Sequence, residues 1–415
     1  AELPCGYWLI VADDDAIAQG EAGTAPIMAL VGGSAVTVKP KAATPKVAKH
    51  VLEDSTAAWG KAADATVADD LYWRLSATVP AGLSAYDTYA VQFVDTMSAG
   101  LDPSKVAASM RVYVAAGADG NFDAVSTGKD GRAGTEPAKG WTDITAQCAT
   151  KVATDGTFTV RTGDLIAALG GADAFAAGAR VVAVYSAPLN SACNHGIAKG
   201  NPNEVYLRYP RSPFADQSGD AGFTRTPSDD ACAYTWDLAL TKRGSDGDKP
   251  LAGAVLSITD DRGRTLAADG TWDAEGKATV TTGEDGRVTV SGVDSGKLAV
   301  RELKAPKGYT AFEGTRSVTV KAEGLDVDQV AAAKPKLTIT AESPLRADSA
   351  DGSTGSLEAS LINTPTGAPP STITGGFMPS TGDMAMYAAA AAAVAGAALI
   401  VVALLIKRGG GSHTE

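Results

Sequence analysis

Along most of the chain, apolar residues fall at every second position in short runs, and the runs end at Gly, Asp, Asn or Pro. Such alternation sends one side of each run into a core and the other into water, the pattern of strands in antiparallel sheets. Runs such as YAVQFVDTM, KLAVRELK and SLEASLINTP, set between Gly/Asp turns, predict an all-β fold of tandem Ig-like β-sandwiches. The spacing offers no long amphipathic helix, and the best short candidate is 162–177. GYWLIVA and PIMALVGG predict two strands before the text changes near residue 40, with Asp13, Asp14 and Asp15 between them. Three adjacent acids are read there as a solvated turn in preference to a calcium site. The expected organisation is a domain tail whose start lies outside the sequence at 1–39, sandwiches at 40–222 and 233–365, a linker at 366–377 and a terminal signal at 378–415.

The alternation has faults, and the faults repeat. Lys49 shares a face with Pro45, Val47 and Val51; Asp95 with Tyr89, Val91 and Phe93; Asn203 with Val205, Leu207 and Tyr209. Further on, Lys242 shares a face with Leu238 and Leu240, Glu302 with Leu298 and Val300, and Asn363 with Leu357, Ala359 and Leu361. A lysine, an acid and an asparagine are thus aimed at one core twice, in the same order. Lysines snorkelling from strand ends would be the bland explanation. The chemical one is an intramolecular isopeptide bond. Burial disfavours both charges, so the lysine pKa falls and the carboxyl pKa rises. A neutral amine can then attack the asparagine carbonyl while the acid polarises it and passes protons to departing ammonia. Asn201, two residues from Asn203 on the same face, is a rival acceptor.

Composition narrows the functional classes. With 415 residues there is room for two or three domains, and a net charge of −12 without a basic patch argues against a nucleic-acid partner. The three histidines are scattered, no CxxC pair occurs, and no Ser/His/Asp, Cys/His or metal-ligand constellation is visible, so neither metal nor cofactor is expected. Of the four cysteines, Cys193 and Cys232 flank the end of one domain and are the expected disulfide. The loop 119–131 lacks the glycine and terminal glutamate of a calcium loop and reads as a long hairpin. Near the end, a Pro/Gly/Thr spacer leads to Met378, Pro379, Ser380, Thr381 and Gly382, then to an uncharged apolar run from Tyr387 to Ile406, then Lys407 and Arg408. The run suits one bilayer crossing as a C-terminal transmembrane helix, with the basic end in the cytoplasm and everything before it outside.

These motifs resemble known families. Met378 to Gly382, the apolar span and the basic tail resemble the LPxTG sorting signal of Gram-positive surface proteins, with Met378 in place of leucine. The resemblance implies that a sortase cleaves Thr381–Gly382 and passes Thr381 to a peptidoglycan precursor or a neighbouring pilin's lysine. PLAGAVLSITDDRGRTL, TTGEDGRVTVSGV and ELKAPKGY resemble a Cna B-type isopeptide domain, implying Lys242 as nucleophile, Asn363 as acceptor and Glu302 as catalytic acid. WGKAADATV, YDTYAVQFVDTMSAGLD and GNPNEVYLRY resemble the isopeptide-forming D2 domain of fimbrial pilins, implying a Lys49–Asn203 bond assisted by Asp95. Pilin backbones carry a VYPKN-like motif before that domain; here the place reads Val38-Lys39-Pro40-Lys41-Ala42, making Lys41 the candidate acceptor lysine or an ordinary linker residue. The expected function is a structural pilin or fimbrial protein, anchored in the cell wall and not an enzyme beyond one-time bond formation. The alternative is a non-polymerising adhesin that binds a host protein or glycan.

Overall fold

The computed structural model describes residues 3–13, 16–24, 26–38, 44–128 and 130–367. Asp14, Asp15, Lys41, the spacer from residue 368, the motif Met378 to Gly382 and the apolar run all lie outside them. Among the described residues no helix is long and apolar enough to cross a membrane.

The predicted alternation becomes two successive pairs of sheets within one unit, Ala1–Thr366. In the first pair, Lys46–Glu53 lies between Tyr72–Val79 and Ala58–Gly60, in a sheet that continues through Ala179–Ser186 and Arg111–Ala116. The facing sheet sets Gln92–Met97 beside Asn201–Pro210, followed by Asp229–Tyr234 and Ala62–Asp64. Trp73, Leu75, Phe93, Val205 and Leu207 meet between the two sheets with no exposed surface. Each such side chain stabilises the fold by about 1.5–3 kcal/mol relative to exposure. The second pair has Trp236–Gly244 between Arg287–Val293 and Ser356–Pro365, facing a sheet built on Val255–Thr259, Gly296–Lys304 and Thr315–Glu323. Leu238, Leu240, Val300 and Leu361 fill its core.

Some expectations need amending. Residues 162–177 form two single-turn helices, Leu165–Ala168 and Ala172–Phe175. Gly170 and Gly171, at φ +89° and +126°, break them apart, because those angles lie outside the right-handed helical region. The gap at 223–232 between the expected domains is largely strand: Phe223–Arg225 and Asp229–Tyr234 both pair with Asn201–Pro210. Gly6–Ile10 and Ile27–Val31 do pair, as an antiparallel ribbon whose Tyr7, Leu9, Met28 and Leu30 are exposed.

Thr235 alone separates the last strand of the first sandwich from the first strand of the second. The joint is nonetheless tightly tied. Trp236 Nε1 donates to Asp64 Oδ2 at 2.7 Å, as do Ser295 N and Oγ. Arg264 grips Asp69 through both terminal nitrogens at 2.5 and 2.8 Å, and Arg262 adds a third contact at 2.7 Å. Behind Asp64 sits Glu53, whose carboxyl accepts from Ser55 N and Oγ and from Asp64 N. Burial, then the Asp64 and Asp54 charges, pushes the Glu53 carboxyl up to about 8, while Ser55 and the Asp64 N–H pull the other way. A carboxyl raised on folding binds a proton that the unfolded chain releases, so stability is lost as pH rises from 4.5 through about 8. Glu53→Gln is expected to flatten this loss, seen as a melting temperature several degrees higher than wild type at pH 8.5 and little changed at pH 5. Parallel pH profiles for the two proteins would refute it.

Candidate functional site

All six inward polar residues are buried, and they converge in two clusters. In the first, Lys49 reaches from one sheet to Asp95 on the other, and its ammonium is in direct contact with Asp95 Oδ2. The backbone holding Lys49 is fixed from outside: Asp229 Oδ2 accepts from Lys49 N at 2.7 Å, and Lys61 Nζ donates to Lys49 O at 2.8 Å and pairs with Asp229. Asp95 and Asn203 stand on adjacent antiparallel strands, where Asp95 opposes Val205 and Asn203 opposes Met97. Tyr185 completes the cluster. Its hydroxyl accepts from Lys49 Nζ and from Asn203 Nδ2, each at 2.9 Å, and donates to Asp95 Oδ2 at 3.2 Å. Burial lowers the Lys49 amine to about 8 against the pull of Asp95, and raises the Asp95 carboxyl to about 6 against that of Lys49. The two shifts bring amine and carboxyl toward each other, which favours proton transfer from the amine to the carboxylate.

In the second cluster, Lys242 and Asn363 stand on adjacent parallel strands, Lys242 opposite Leu361 and Asn363 opposite Gly244. Glu302 faces them from the other sheet, its Oε1 3.6 Å from Lys242 Nζ and accepting from Asn363 Nδ2 at 2.8 Å. Burial lowers the Lys242 amine to about 8. The turn before Arg287 presses on this strand: Lys242 N donates to Gly286 O at 2.8 Å. A Cβ at Gly286, whose φ is +71°, would come within 2.9 Å of Lys242 O, so the position needs glycine. The APKGY turn has a structural effect as well. It returns Tyr309–Thr310 to pair with Thr364 and Pro365, and it brings Phe312 N to Glu302 Oε2 at 3.1 Å.

The carbonyl oxygens of both asparagines, Asn203 Oδ1 and Asn363 Oδ1, and Asp95 Oδ1 are buried without a hydrogen-bond partner. Orphaned buried acceptors are costly, and each of these belongs to a group that the proposed chemistry would change. Asn201 differs: its amide is saturated by Asn194 N, Asn194 O and Ala233 O.

Tyr185 escaped the sequence reading, and so did one other cluster. Cys193 Sγ lies 3.5 Å from His195 Nε2, and His195 Nδ1 lies 2.8 Å from Asp237 Oδ2 on the second sandwich. A Cys/His/Asp constellation therefore exists, contrary to expectation. Burial, with the Asp237 charge, pushes the Cys193 thiol up to about 11, which keeps it neutral and poorly nucleophilic. The expected Cys193–Cys232 disulfide is not formed; both thiols are free and buried. Cys193 turns toward His195, whereas Cys232, on Asp229–Tyr234, packs beside Gly200 and points at Ala233 O. Among the described residues no group of three or more His, Cys, Asp or Glu is placed to hold a metal ion.

Residues 237–334 match the family model described as SpaA, a prealbumin-like fold domain. The match falls within the stretch 233–365, for which the motifs led to the expectation of a Cna B-type domain, and includes Lys242 and Glu302 but stops short of Asn363. Over 143 residues the chain is 30% identical to the trypsin-resistant surface T6 protein of Streptococcus pyogenes serotype M6, covering 32% of this chain and 24% of that protein. The chain thus spans about a quarter of that relative's length. Among solved structures, the group B streptococcus pilus 2b backbone protein aligns with a TM-score of 0.48 at 19% identity, covering 76% of this chain and 97% of the other. The T6 backbone pilin of S. pyogenes gives 0.47 at 18%, covering 84% and 82%. The major pilin SpaD of Corynebacterium diphtheriae gives 0.47 at 16%, covering 87% and 79%.

Proposed function

We propose that this chain, whose residues 237–334 form a SpaA-type domain, is a structural pilin subunit stapled internally by two lysine–asparagine amides. The observation that carries the reading is the repetition: two successive sandwiches each enclose a lysine, a carboxyl and an asparagine with almost no solvent contact. In the first, Asp95 takes a proton from Lys49, the amine attacks Asn203 Cγ, and ammonia leaves. Lys242, Glu302 and Asn363 do the same in the second. Each reaction exchanges a buried ion pair for a neutral amide and a protonated carboxyl, removing the desolvation cost of two charges. Confinement in the core makes the attack effectively unimolecular.

Export and anchoring complete the reading. A sortase joins Thr381 to the peptidoglycan precursor or to the next subunit, with Lys41 as the receiving amine. The apolar run from Tyr387 to Ile406 holds the precursor in the membrane until then. One observation favours the adhesin alternative: Lys39 and Ala42 stand where the tyrosine and asparagine of the pilin motif belong.

Intact mass of the denatured, reduced protein tests the core of the proposal. Wild type is expected to have lost two ammonias, and Lys49→Ala or Lys242→Ala one each. A mass equal to that of the unmodified sequence would exclude the staples. Heat-stable high-mass ladders in wall extracts would support polymerisation, and a single band the adhesin.

A further inference from the structure

We propose that Tyr185 is a catalytic residue of the first staple, relaying a proton from the attacking nitrogen to the leaving one. The inference rests on the cross-linking chemistry proposed above and concerns how the two clusters differ. In the second, one carboxylate oxygen, Glu302 Oε1, faces both nitrogens that exchange places on the asparagine carbon: Lys242 Nζ at 3.6 Å and Asn363 Nδ2 at 2.8 Å. In the first, the acid is an aspartate, one methylene shorter. Its Oδ2 meets Lys49 Nζ, but the Asn203 amide donates to Tyr185 instead. The hydroxyl stands where the second site has a carboxylate oxygen, 2.9 Å from each nitrogen, with its own proton directed at Asp95.

The step balances. Lys49 first gives one proton to Asp95, and its neutral amine adds to Asn203 Cγ while the Asp95 acid hydrogen-bonds the developing oxyanion. The new bond leaves a proton in excess on Nζ. That proton passes to the Tyr185 oxygen as the Tyr185 proton moves to Nδ2. The Cγ–Nδ2 bond breaks, ammonia departs, and Tyr185 is regenerated. The end state is a secondary amide beside a neutral Asp95. Burial keeps the Tyr185 hydroxyl protonated at ordinary pH, as a relay of this kind requires.

The full chain, collected unreacted in denaturant and refolded by dilution, gives the test. Ammonia loss is followed by intact mass, and each cross-link is located by peptide mapping. Tyr185→Phe keeps the ring against Phe158 and removes only the oxygen. Closure at Lys49–Asn203 is expected to slow about a hundredfold, a usual contribution of positioned proton transfer, while Lys242–Asn363 closes at the wild-type rate. Fluorotyrosine at 185, which keeps the shape and changes the hydroxyl's acidity, is expected to alter the first rate alone. Wild-type closure at Lys49 in either variant overturns the relay and leaves the staples standing. Failure of wild type itself to lose ammonia at Lys49 overturns the underlying reading.

Discussion

Glu302→Ala is expected to abolish ammonia loss in the second sandwich and to lower its stability by about 3–5 kcal/mol, the scale of losing a covalent cross-link that closes a long loop. Lys242 has no exposed surface, and apart from Glu302 its ammonium reaches Leu361 O at 3.2 Å. Without the carboxylate, burial drives the amine further toward its neutral form, but no acid remains to polarise the Asn363 carbonyl or to carry protons to the departing ammonia, so the attack does not go to completion. The same substitution strips acceptors from Asn363 Nδ2 and Phe312 N. Glu302→Gln separates these effects. An amide of the same shape still accepts a hydrogen bond but takes no proton, so it should block the cross-link while costing less stability than alanine. Intact mass and denaturant unfolding of the three proteins decide the matter. A normal ammonia loss in Glu302→Ala would remove Glu302 from the chemistry.

Trp236→Ala is the second large effect, expected at about 3–5 kcal/mol for a fully buried indole. Trp236 opens the first strand of the second sandwich, lies parallel to the Tyr234 ring at 6.2 Å, and donates to Asp64 across the joint. Its loss opens a cavity beside the link between the sandwiches, so calorimetry should show two separated transitions where wild type shows closer ones. Trp236→Phe, which removes the N–H donor and part of the ring while keeping an aromatic side chain, should cost less than alanine, about 1–3 kcal/mol. Coincident, unshifted transitions in the alanine variant would mean that the joint draws its strength from the Asp69 arginines instead.

The six polar residues on apolar faces were legible because a strand's period of two leaves no freedom: a residue that continues a run of apolar residues at every second position faces the core with them. Tyr185 was not legible, because its strand is buried on both sides. Val181, Ala183 and Tyr185 face the main core, while Val182 and Val184 face a smaller one beneath the hairpin of Val125–Thr127 and Ala133–Pro137. Alternation vanishes there, and with it any hint of which side a tyrosine takes. Asp229 falls in the stretch 223–232 between the two expected sandwiches; only the fold brings it to Lys49 N and Lys61. The Cys193–His195–Asp237 contact crosses from one sandwich to the other, and so depends on how the two are joined.

The parallel pairing of Trp236–Gly244 with Ser356–Pro365 has a mechanical consequence. Tension that enters at Trp236 and leaves after Pro365 acts along the two strands in opposite senses, so it shears the whole register from Asp237↔Ser356 to Gly244↔Asn363 at once and cannot unzip it pair by pair. An amide between Lys242 and Asn363 would bypass that shear. The load would follow the strand from Trp236 to Lys242, cross the amide, and leave through Asn363. The intervening loop of about 120 residues, on the order of 400 Å of contour length, would then never pay out under pull.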